Sequence, residues 1–209
     1  MKLLLATTNL NKVREVTPLL EHLNGIEWLT LSDIPPIVEP PESSETYWEN
    51  AREKALAYAG ASGLTVVAED SGFEVERLDG VPGIHSARFL GPDVPYSVRF
   101  QEITKRLAAL GATGSEARFV TALAVARGDE ILFETEAWIA GEVADSPRGD
   151  KGFGYDPLFF YPPQGKTTGE MTIEEKSAVS HRARAFRDFA RWLATQPATG
   201  NRQPAAGQP

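Results

Sequence analysis

A glycine-rich segment, Gly149-Asp150-Lys151-Gly152-Phe153-Gly154-Tyr155-Asp156-Pro157, combines residue types that suit a small-molecule pocket. Its three glycines allow close backbone approach to a ligand or a positive φ, at an entropic cost. Phe153 and Tyr155 offer flat rings that could stack on a heterocycle, and Asp156 offers a hydrogen-bond acceptor. A tight loop leading into the apolar strand 158–161 explains the segment alone equally well, because short motifs also arise by chance.

A second polar segment, Thr7-Thr8-Asn9-Leu10-Asn11-Lys12, lies between a predicted strand and a predicted helix. The start of a helix presents free N–H groups and positive potential, so the segment could bind an anion. It is no P-loop, because Gly-x-x-x-x-Gly-Lys is absent from it. The alternative is that Asn9 or Asn11 only caps the helix and that Lys12 is a solvated surface charge.

Two adjacent carboxylates occur in Glu69-Asp70-Ser71-Gly72, after the apolar run 65–68. Adjacent carboxylates at the end of a strand are costly unless they bind a cation or transfer protons. Because side chains alternate along a strand, Glu69 and Asp70 are predicted to point to opposite faces and to differ in role. A hard divalent cation such as Mg²⁺ would suit these oxygen ligands and could be shared with substrate phosphates. A charged turn is the alternative.

Two more segments carry groups that could bind a ligand. Asn50 and Lys54 are one turn apart on a predicted helix, and Glu42 lies in the preceding loop, where it could reach a metal. Lys176 precedes Ser180-His181-Arg182, where a helix is predicted to begin with Ser180 as its N-cap. Cations are unfavourable at a helix N-terminus, so an anionic or carbonyl-rich ligand bound there would explain the positions of His181 and Arg182. Solvated helix ends and faces are the alternative.

Predicted strands and helices alternate in the first part of the chain, and a β-hairpin is predicted in the later part. The pattern predicts strands at 3–7, 26–31 and 65–68, a loop at 32–45, hairpin strands at 119–126 and 131–139, and helices at 11–23, 46–62, 96–110 and from 180. Trp48 is predicted on the inner face of the second helix. The order favours an α/β fold with an elongated mixed sheet in two lobes and a central cleft between them. One domain is predicted over residues 1–195, and the Pro-, Ala- and Gly-rich tail 196–209 is predicted to be disordered.

Composition narrows the class of protein. The 209 residues carry a net charge of −8, and the broad basic surface that coats nucleic acid is therefore not expected. Cysteine is absent, so neither a disulfide nor a thiolate metal site can form. No run reaches the roughly 20 apolar residues of a membrane-spanning helix. We therefore expect a soluble cytoplasmic protein without nucleic-acid or membrane partners.

Six motifs in this order resemble those of the inosine triphosphate pyrophosphatase (Ham1-like) family, and the likeness extends over about residues 2–194. The motifs are Ala6-Thr7-Thr8-Asn9-Leu10-Asn11-Lys12, Glu49-Asn50-Ala51 with Lys54, Glu69-Asp70-Ser71-Gly72, Gly83-Ile84-His85-Ser86-Ala87-Arg88, Gly152-Phe153-Gly154-Tyr155-Asp156-Pro157, and Glu175-Lys176-Ser177-Ala178-Val179-Ser180-His181-Arg182. Each motif is weak by itself, but their order and spacing make the set specific.

The resemblance implies a homodimer that hydrolyses ITP, dITP and XTP to the monophosphate and pyrophosphate with Mg²⁺. It implies that Asp70 binds the metal and accepts a proton, and that Glu42 is a second metal ligand. Substrate contacts are implied for Thr7, Thr8, Asn9, Leu10, Asn11, Lys12 and Lys54 at the triphosphate, for Ser71, and for Phe153, Gly154, Tyr155, Asp156, Lys176, His181 and Arg182 at the base and ribose. Such a reaction needs a metal to neutralise phosphate charge and a carboxylate to activate water.

Two other functions remain open from the sequence. A pyrophosphatase of other modified nucleotides, as in the related Maf-like proteins, would keep the carboxylates but need a different base pocket. A nucleotide sensor without turnover would bind the same ligands, although the Glu69-Asp70 pair argues against it. Pyrophosphate release from ITP would separate an enzyme from a sensor.

Overall fold

The protein is described by a computed structural model over residues 1–21, 23 and 25–196. Its helices are α1 (Leu10–Leu20), α2 (Tyr47–Ser62), α3 (Tyr96–Ala109), α4 (Ile173–Val179) and α5 (His181–Thr195). Its strands are β1 (Lys2–Leu5), β2 (Glu27–Thr30), β3 (Thr65–Val75), β4 (Pro82–Gly83), β5 (Glu116–Arg127), β6 (Glu130–Val143), β7 (Phe159–Tyr161) and β8 (Lys166–Thr167). The tail predicted to be disordered lies, apart from Gln196, outside the described residues.

One mixed sheet runs through the molecule, as the sequence predicted. The strand order is β2-β1-β3-β5-β6-β7-β8, and β4 pairs with β3 off this path. β1 pairs in parallel with β2 and β3, whereas β3, β5, β6, β7 and β8 pair antiparallel. The predicted hairpin is confirmed as β5 and β6, which are longer than expected and carry a register shift between Val125 and Ala126.

Helices cover both faces of the central strands. On β3, Val66 packs into the cluster that contains Tyr58 of α2, and its neighbour Val67 packs into the cluster that contains Phe186 of α5. Burial on both faces explains why this strand begins with a continuous apolar run. A third cluster surrounds the C-terminal half of β3 and the N-terminal half of β5, and it includes residues of α3. In this cluster the ring centroids of Phe73 and Phe119 lie 5.2 Å apart.

The helix boundaries follow local signals in the sequence. Thr46 caps α2 by accepting a hydrogen bond from the Glu49 backbone, and Gly63 ends that helix with φ +69°. α1 ends at Leu20, three residues earlier than predicted, and Pro18 lies inside it. The placement of Trp48 on the inner face of α2 was wrong, since Trp48 is 36% exposed and Tyr47 is buried instead.

The largest correction concerns Glu69-Asp70-Ser71-Gly72, which lies within β3 instead of at the end of a strand. β3 continues to Val75 because β5 pairs with it along its whole length, from Thr65 with Arg127 to Val75 with Ala117. Pairing with a strand about fifty residues away extends β3 through polar residues that read locally as a turn. The two carboxylates are therefore held by a rigid strand.

Candidate functional site

A cleft of about 280 Å³ crosses the middle of β3. Most residues predicted at the site line it: Thr7, Thr8, Asn9, Lys12, Glu42, Lys54, Asp70, Ser71, Phe153, Gly154, Tyr155, Asp156, Lys176, His181 and Arg182. Leu10 and Asn11 are not among the lining residues, and Leu10 is 70% exposed. The fold therefore brings together side chains from both ends of the chain.

The segment between β1 and α1 forms one wall of the cleft. Asn9 caps α1, because its Oδ1 accepts hydrogen bonds from the backbone of Asn11 at 3.0 Å and of Lys12 at 3.4 Å. The capping role proposed as an alternative is thus confirmed, while Thr7, Thr8 and Lys12 still face the cleft. Burial lowers the pKa of Lys12, although the charge of Glu69, 3.8 Å from its Nζ, opposes that shift. The cleft thus has a cation beside a helix N-terminus.

Asp70 points to the α2 face of β3 and is only 6% exposed. Its Oδ2 accepts a hydrogen bond from Asn50 Nδ2 at 3.0 Å, and its Oδ1 accepts one from the Ser71 backbone at 2.9 Å. Burial raises the pKa of Asp70, and the nearby charge of Glu42 raises it further, against the effects of Lys12 and Lys54. A carboxylate with a raised pKa is a better proton acceptor.

Glu69 points to the opposite face, as the alternation along a strand predicted. Its Oε1 accepts a hydrogen bond from Arg182 Nε at 2.7 Å, and its buried Oε2 has no hydrogen-bond partner within residues 1–21, 23 and 25–196. Burial disfavours the charge of Glu69, but Arg182 and Lys12 outweigh burial and hold the pKa of this carboxyl below its ordinary value. The two adjacent carboxyls therefore have pKa values shifted in opposite directions.

Glu15 of α1 is a residue of the site that the sequence reasoning missed. It accepts hydrogen bonds from Lys176 Nζ and, at 2.5 Å, from Arg182 Nη1. Burial disfavours its charge, yet Arg182 and Lys176 keep the pKa of Glu15 below its ordinary value. The signal that could have found it is its position three residues after Lys12, on the same helix face.

Carboxylates of the protein pair with the positive charge at the start of α5. Arg182 donates to Glu69, Glu15 and, at 3.0 Å, to Ser71 Oγ. His181 is buried against the Phe119 ring, with centroids 4.9 Å apart, and burial followed by the charge of Arg182 lowers its pKa well below the ordinary value. Carboxylates of the protein itself therefore compensate the charge of Arg182. The anionic or carbonyl-rich ligand that was predicted beside this helix start stays a prediction.

The glycine-rich segment forms the far end of the cleft. Asp156 accepts hydrogen bonds from the Phe153 backbone at 2.7 Å and from Thr168 Oγ1 at 2.9 Å, and it pairs with Lys176 at 2.5 Å. Lys176 Nζ lies 5.2 Å from the centre of the Phe153 ring, and Arg182 lies 5.6 Å from it. This end, which we call the aromatic end, offers ring faces bordered by fixed charges.

Glu42 lines the part of the cleft that the family resemblance assigns to the triphosphate and the metal, which we call the phosphate end. Its carboxylate pairs with Lys54 and, at 3.4 Å, with Arg88. Burial disfavours the charge of Lys54, but Glu42 outweighs burial and raises its pKa. No group of three or more His, Cys, Asp or Glu side chains within residues 1–21, 23 and 25–196 is arranged to hold a metal ion. Asp70 and Glu42, the two residues predicted to bind a metal ion, both line the cleft.

The fold and the cleft together define an α/β protein with a charged small-molecule site. Across the described part of the chain, no helix is both long enough and apolar enough to cross a membrane. The model of the Ham1 family matches residues 3–192, and the chain belongs to this family.

Curated relatives and solved structures agree with the family assignment. A dITP/XTP pyrophosphatase of Syntrophobacter fumaroxidans is 44% identical over 215 residues, covering 98% of this chain and 90% of that protein. The dITP/XTP pyrophosphatase of Thermus thermophilus is 43% identical over 189 residues, covering 90% of this chain and 89% of its own. A HAM1 protein from Coxiella burnetii superposes with a TM-score of 0.84 at 31% identity, covering 94% of this chain and 100% of that one.

Proposed function

We propose that this protein hydrolyses deaminated purine nucleoside triphosphates, namely ITP, dITP and XTP, to the monophosphate and pyrophosphate. The observation that carries the proposal is the cleft itself, which is lined by the cations Lys12 and Lys54, by Asp70 with its raised pKa, and by the rings of Phe153 and Tyr155. The two curated relatives described above are named dITP/XTP pyrophosphatase, and each match covers at least 90% of this chain.

At the phosphate end, Lys12 and Lys54 would bind the triphosphate together with Thr7, Thr8 and the positive potential at the start of α1. Positive groups here stabilise negative charge that grows on the leaving pyrophosphate. Asp70 would accept the proton of the water that attacks the α-phosphorus, a role for which its raised pKa suits it.

The donor chemistry of Asp70 and Glu42 fits Mg²⁺, which prefers carboxylate oxygens and shares its sites with phosphates. The charge of Glu42 raises the pKa of Asp70, so a bound cation held by these carboxylates would relieve the repulsion between them. When bound, Mg²⁺ would neutralise phosphate charge and orient the leaving group. Lys54 and Arg88, which pair with Glu42, keep this carboxylate ionised at the cleft.

At the aromatic end, the base would lie among Phe153, Gly154, Tyr155 and Asp156, with Lys176, His181 and Arg182 beside it. The hydrogen bonds of Arg182 are directed to Glu69, Glu15 and Ser71, so we infer that Arg182 shapes the pocket through a fixed position. His181 is neutral, and its Nδ1 has no hydrogen-bond partner among the described residues. A donor in this region would satisfy the 6-carbonyl of hypoxanthine or xanthine but not the 6-amino group of adenine.

Product analysis tests the proposal. We expect ITP to give IMP and pyrophosphate in equal amounts, measured by ion-exchange chromatography, and we expect chelation by EDTA to stop the reaction. Formation of IDP and phosphate would contradict cleavage between the α- and β-phosphates. Binding of ITP without turnover in the presence of Mg²⁺ would instead identify a sensor.

Assembly and location are further proposals. From the family resemblance we propose a homodimer, which sedimentation equilibrium measures directly, in the cytoplasm. A free nucleotide is the proposed ligand, and the net charge of −8 supports the expectation that nucleic acid is not a partner.

A further inference from the structure

Arg99 of α3 is a buried charge that the proposed mechanism does not use. Its exposed fraction is 1%, and no carboxylate in the described ranges lies within ion-pair distance of it. Burying a charge is costly unless other groups replace the water that it loses. The groups that do so at Arg99 therefore indicate what the residue is for.

Main-chain carbonyls of one loop replace that water. Arg99 Nη1 donates to the Ser86 carbonyl at 3.0 Å, and Nη2 donates to the carbonyls of Gly91 at 2.9 Å and Pro92 at 3.3 Å. The buried Nε of Arg99 has no hydrogen-bond partner in the part of the chain that the structure describes. One rigid guanidinium thus ties together two parts of the loop formed by residues 83–92, which a lysine could not do with equal geometry.

This loop forms a wall of the cleft. Ile84, Ser86 and Ala87 line the cleft. The Ser86 carbonyl that Arg99 binds also accepts a hydrogen bond from the Tyr155 hydroxyl at 3.1 Å. Ser86 Oγ in turn accepts one from the Phe73 backbone of β3 at 2.8 Å. A single residue of the loop therefore connects α3, β3 and the glycine-rich segment.

Arg99 also supports the ring faces at the aromatic end. Its guanidinium lies 4.6 Å from the centre of the Tyr96 ring, which lines the cleft. Tyr96 meets Tyr155 edge to face at 5.2 Å, and Tyr155 stacks on Phe73 at 5.0 Å. Cation–π and aromatic contacts of this kind hold rings in fixed orientations. The hydrogen bonds of Arg99 themselves reach none of the groups at the phosphate end, although the same loop carries Arg88, whose partly exposed side chain pairs with Glu42 there.

We propose that Arg99 is a positioning residue that sets the shape of the aromatic end, and with it the affinity for the purine base, without acting at the phosphate end. The inference rests on the proposed function, because it assigns a role within the same substrate site. The proposal assigns Arg99 to the aromatic end alone, and kinetics can measure the effect of a variant on each end of the cleft separately.

The test compares wild type with Arg99→Met, which keeps the length of the side chain and removes its donors. For the folded variant we expect KM for ITP to rise about 10-fold or more while kcat stays within about 3-fold, the pattern of lost binding without lost chemistry. The ITP-to-ATP ratio of kcat/KM should fall. Inhibition by inorganic tripolyphosphate, which probes only the phosphate end, should stay within about 2-fold of wild type, because a phosphate anion makes no use of the base pocket.

Lys105→Met is the matched control, since this lysine lies on the same helix and its side chain is 82% exposed. It should leave KM and kcat for ITP, the ITP-to-ATP ratio and tripolyphosphate inhibition unchanged. Wild-type KM and ITP-to-ATP ratio in folded Arg99→Met would overturn the proposal. Equal losses for ITP and tripolyphosphate would also overturn it, because they indicate general disruption.

Arg99→Lys covers the case in which Arg99→Met does not fold. It keeps the charge but cannot donate in two fixed directions, so KM for ITP should rise by several-fold while tripolyphosphate inhibition is kept. Unchanged KM in Arg99→Lys would then contradict the proposal. Failure of the wild type to cleave ITP in the same assay would contradict the proposed function itself and remove the basis of this inference with it.

Discussion

At the scale of single residues, Glu69 and Asp70 show how neighbours in sequence acquire different chemistry. Strand alternation sends Glu69 toward Arg182 and Asp70 toward Asn50. The pKa of Glu69 is lowered and that of Asp70 is raised. Pairs of carboxyls whose pKa values are pushed apart commonly divide structural and proton-transfer roles. We therefore propose that Glu69 holds Arg182 in place and that Asp70 acts in catalysis.

The two assignments predict different defects. Asp70→Asn removes the proton acceptor, so kcat for ITP should fall at least about 100-fold while the melting temperature changes little, because the change is nearly isosteric. Glu69→Gln removes the charge of one of the two carboxylates that pair with the buried Arg182, so it should lower the unfolding free energy by about 1.5–3 kcal/mol, the range for a hydrogen bond to a charged group. Calorimetry and single-substrate kinetics measure both effects. Near-wild-type kcat in folded Asp70→Asn would contradict the catalytic role.

At the scale of elements, the sequence predicted those features that local signals determine. The caps Thr46, Gly63 and Ser180 and the apolar spacing gave α2, α3 and α5 close to their observed bounds. The length of β3 could not be predicted, since pairing with β5 across the sheet sets it. Glu15 was missed for the same reason, because its partners lie about 160 residues away.

Close packing of β3 against its neighbours gives a prediction at Gly72. A Cβ at this position would overlap the Gly83 carbonyl oxygen and the Tyr47 hydroxyl, and the Gly83 oxygen belongs to backbone that cannot move aside. Gly72→Ala should therefore destabilise the protein by at least about 1–3 kcal/mol, the usual cost of overpacking a core.

The matched control is Gly60→Ala on α2, where an added Cβ meets nothing within 4 Å. Alanine favours a helix interior over glycine, so this variant should gain about 0.5–1 kcal/mol. Urea unfolding measures both variants, and Gly72→Ala as stable as wild type would show that β3 can shift relative to β4 and α2.

At the scale of the whole molecule, the cleft lies beside two of the apolar clusters. Ala6 belongs to the cluster that contains Tyr58, and Phe73 and Phe119 belong to the cluster around the C-terminal half of β3 and the N-terminal half of β5, so the charged groups of the cleft are largely removed from water. Four side chains that line it, Lys54, Asp70, His181 and Arg182, are buried. Ionisation of these groups is therefore coupled to folding. Protein stability should report on the site even without a substrate.

His181 gives a pH test of this coupling. Its pKa lies well below 6.5 in the folded protein, so below pH 6.5 the unfolded chain binds a proton that the folded protein does not. Stability is thus kept above pH 6.5 and lost as the pH falls, by at most about 1.4 kcal/mol per pH unit for this one group. The unfolding free energy of His181→Gln should decline less than that of wild type between pH 7 and 5.5.

Urea unfolding at several pH values measures this slope, and a variant of the exposed His85, His85→Gln, serves as the matched control. Equal slopes in wild type and His181→Gln would show that His181 protonates in the folded protein, and the description of a neutral imidazole at the aromatic end would be wrong.

Base selection is the most direct test of the central claim that this cleft recognises deaminated purine nucleotides. The measurement is kcat/KM for pyrophosphate release from ITP, XTP, GTP, ATP and UTP under one set of conditions with Mg²⁺. ITP and XTP should exceed ATP and UTP by at least about 100-fold, because a buried site rejects a base that leaves its polar groups unpaired, and GTP should fall between. Cleavage of ATP or UTP as efficient as that of ITP would contradict the claim.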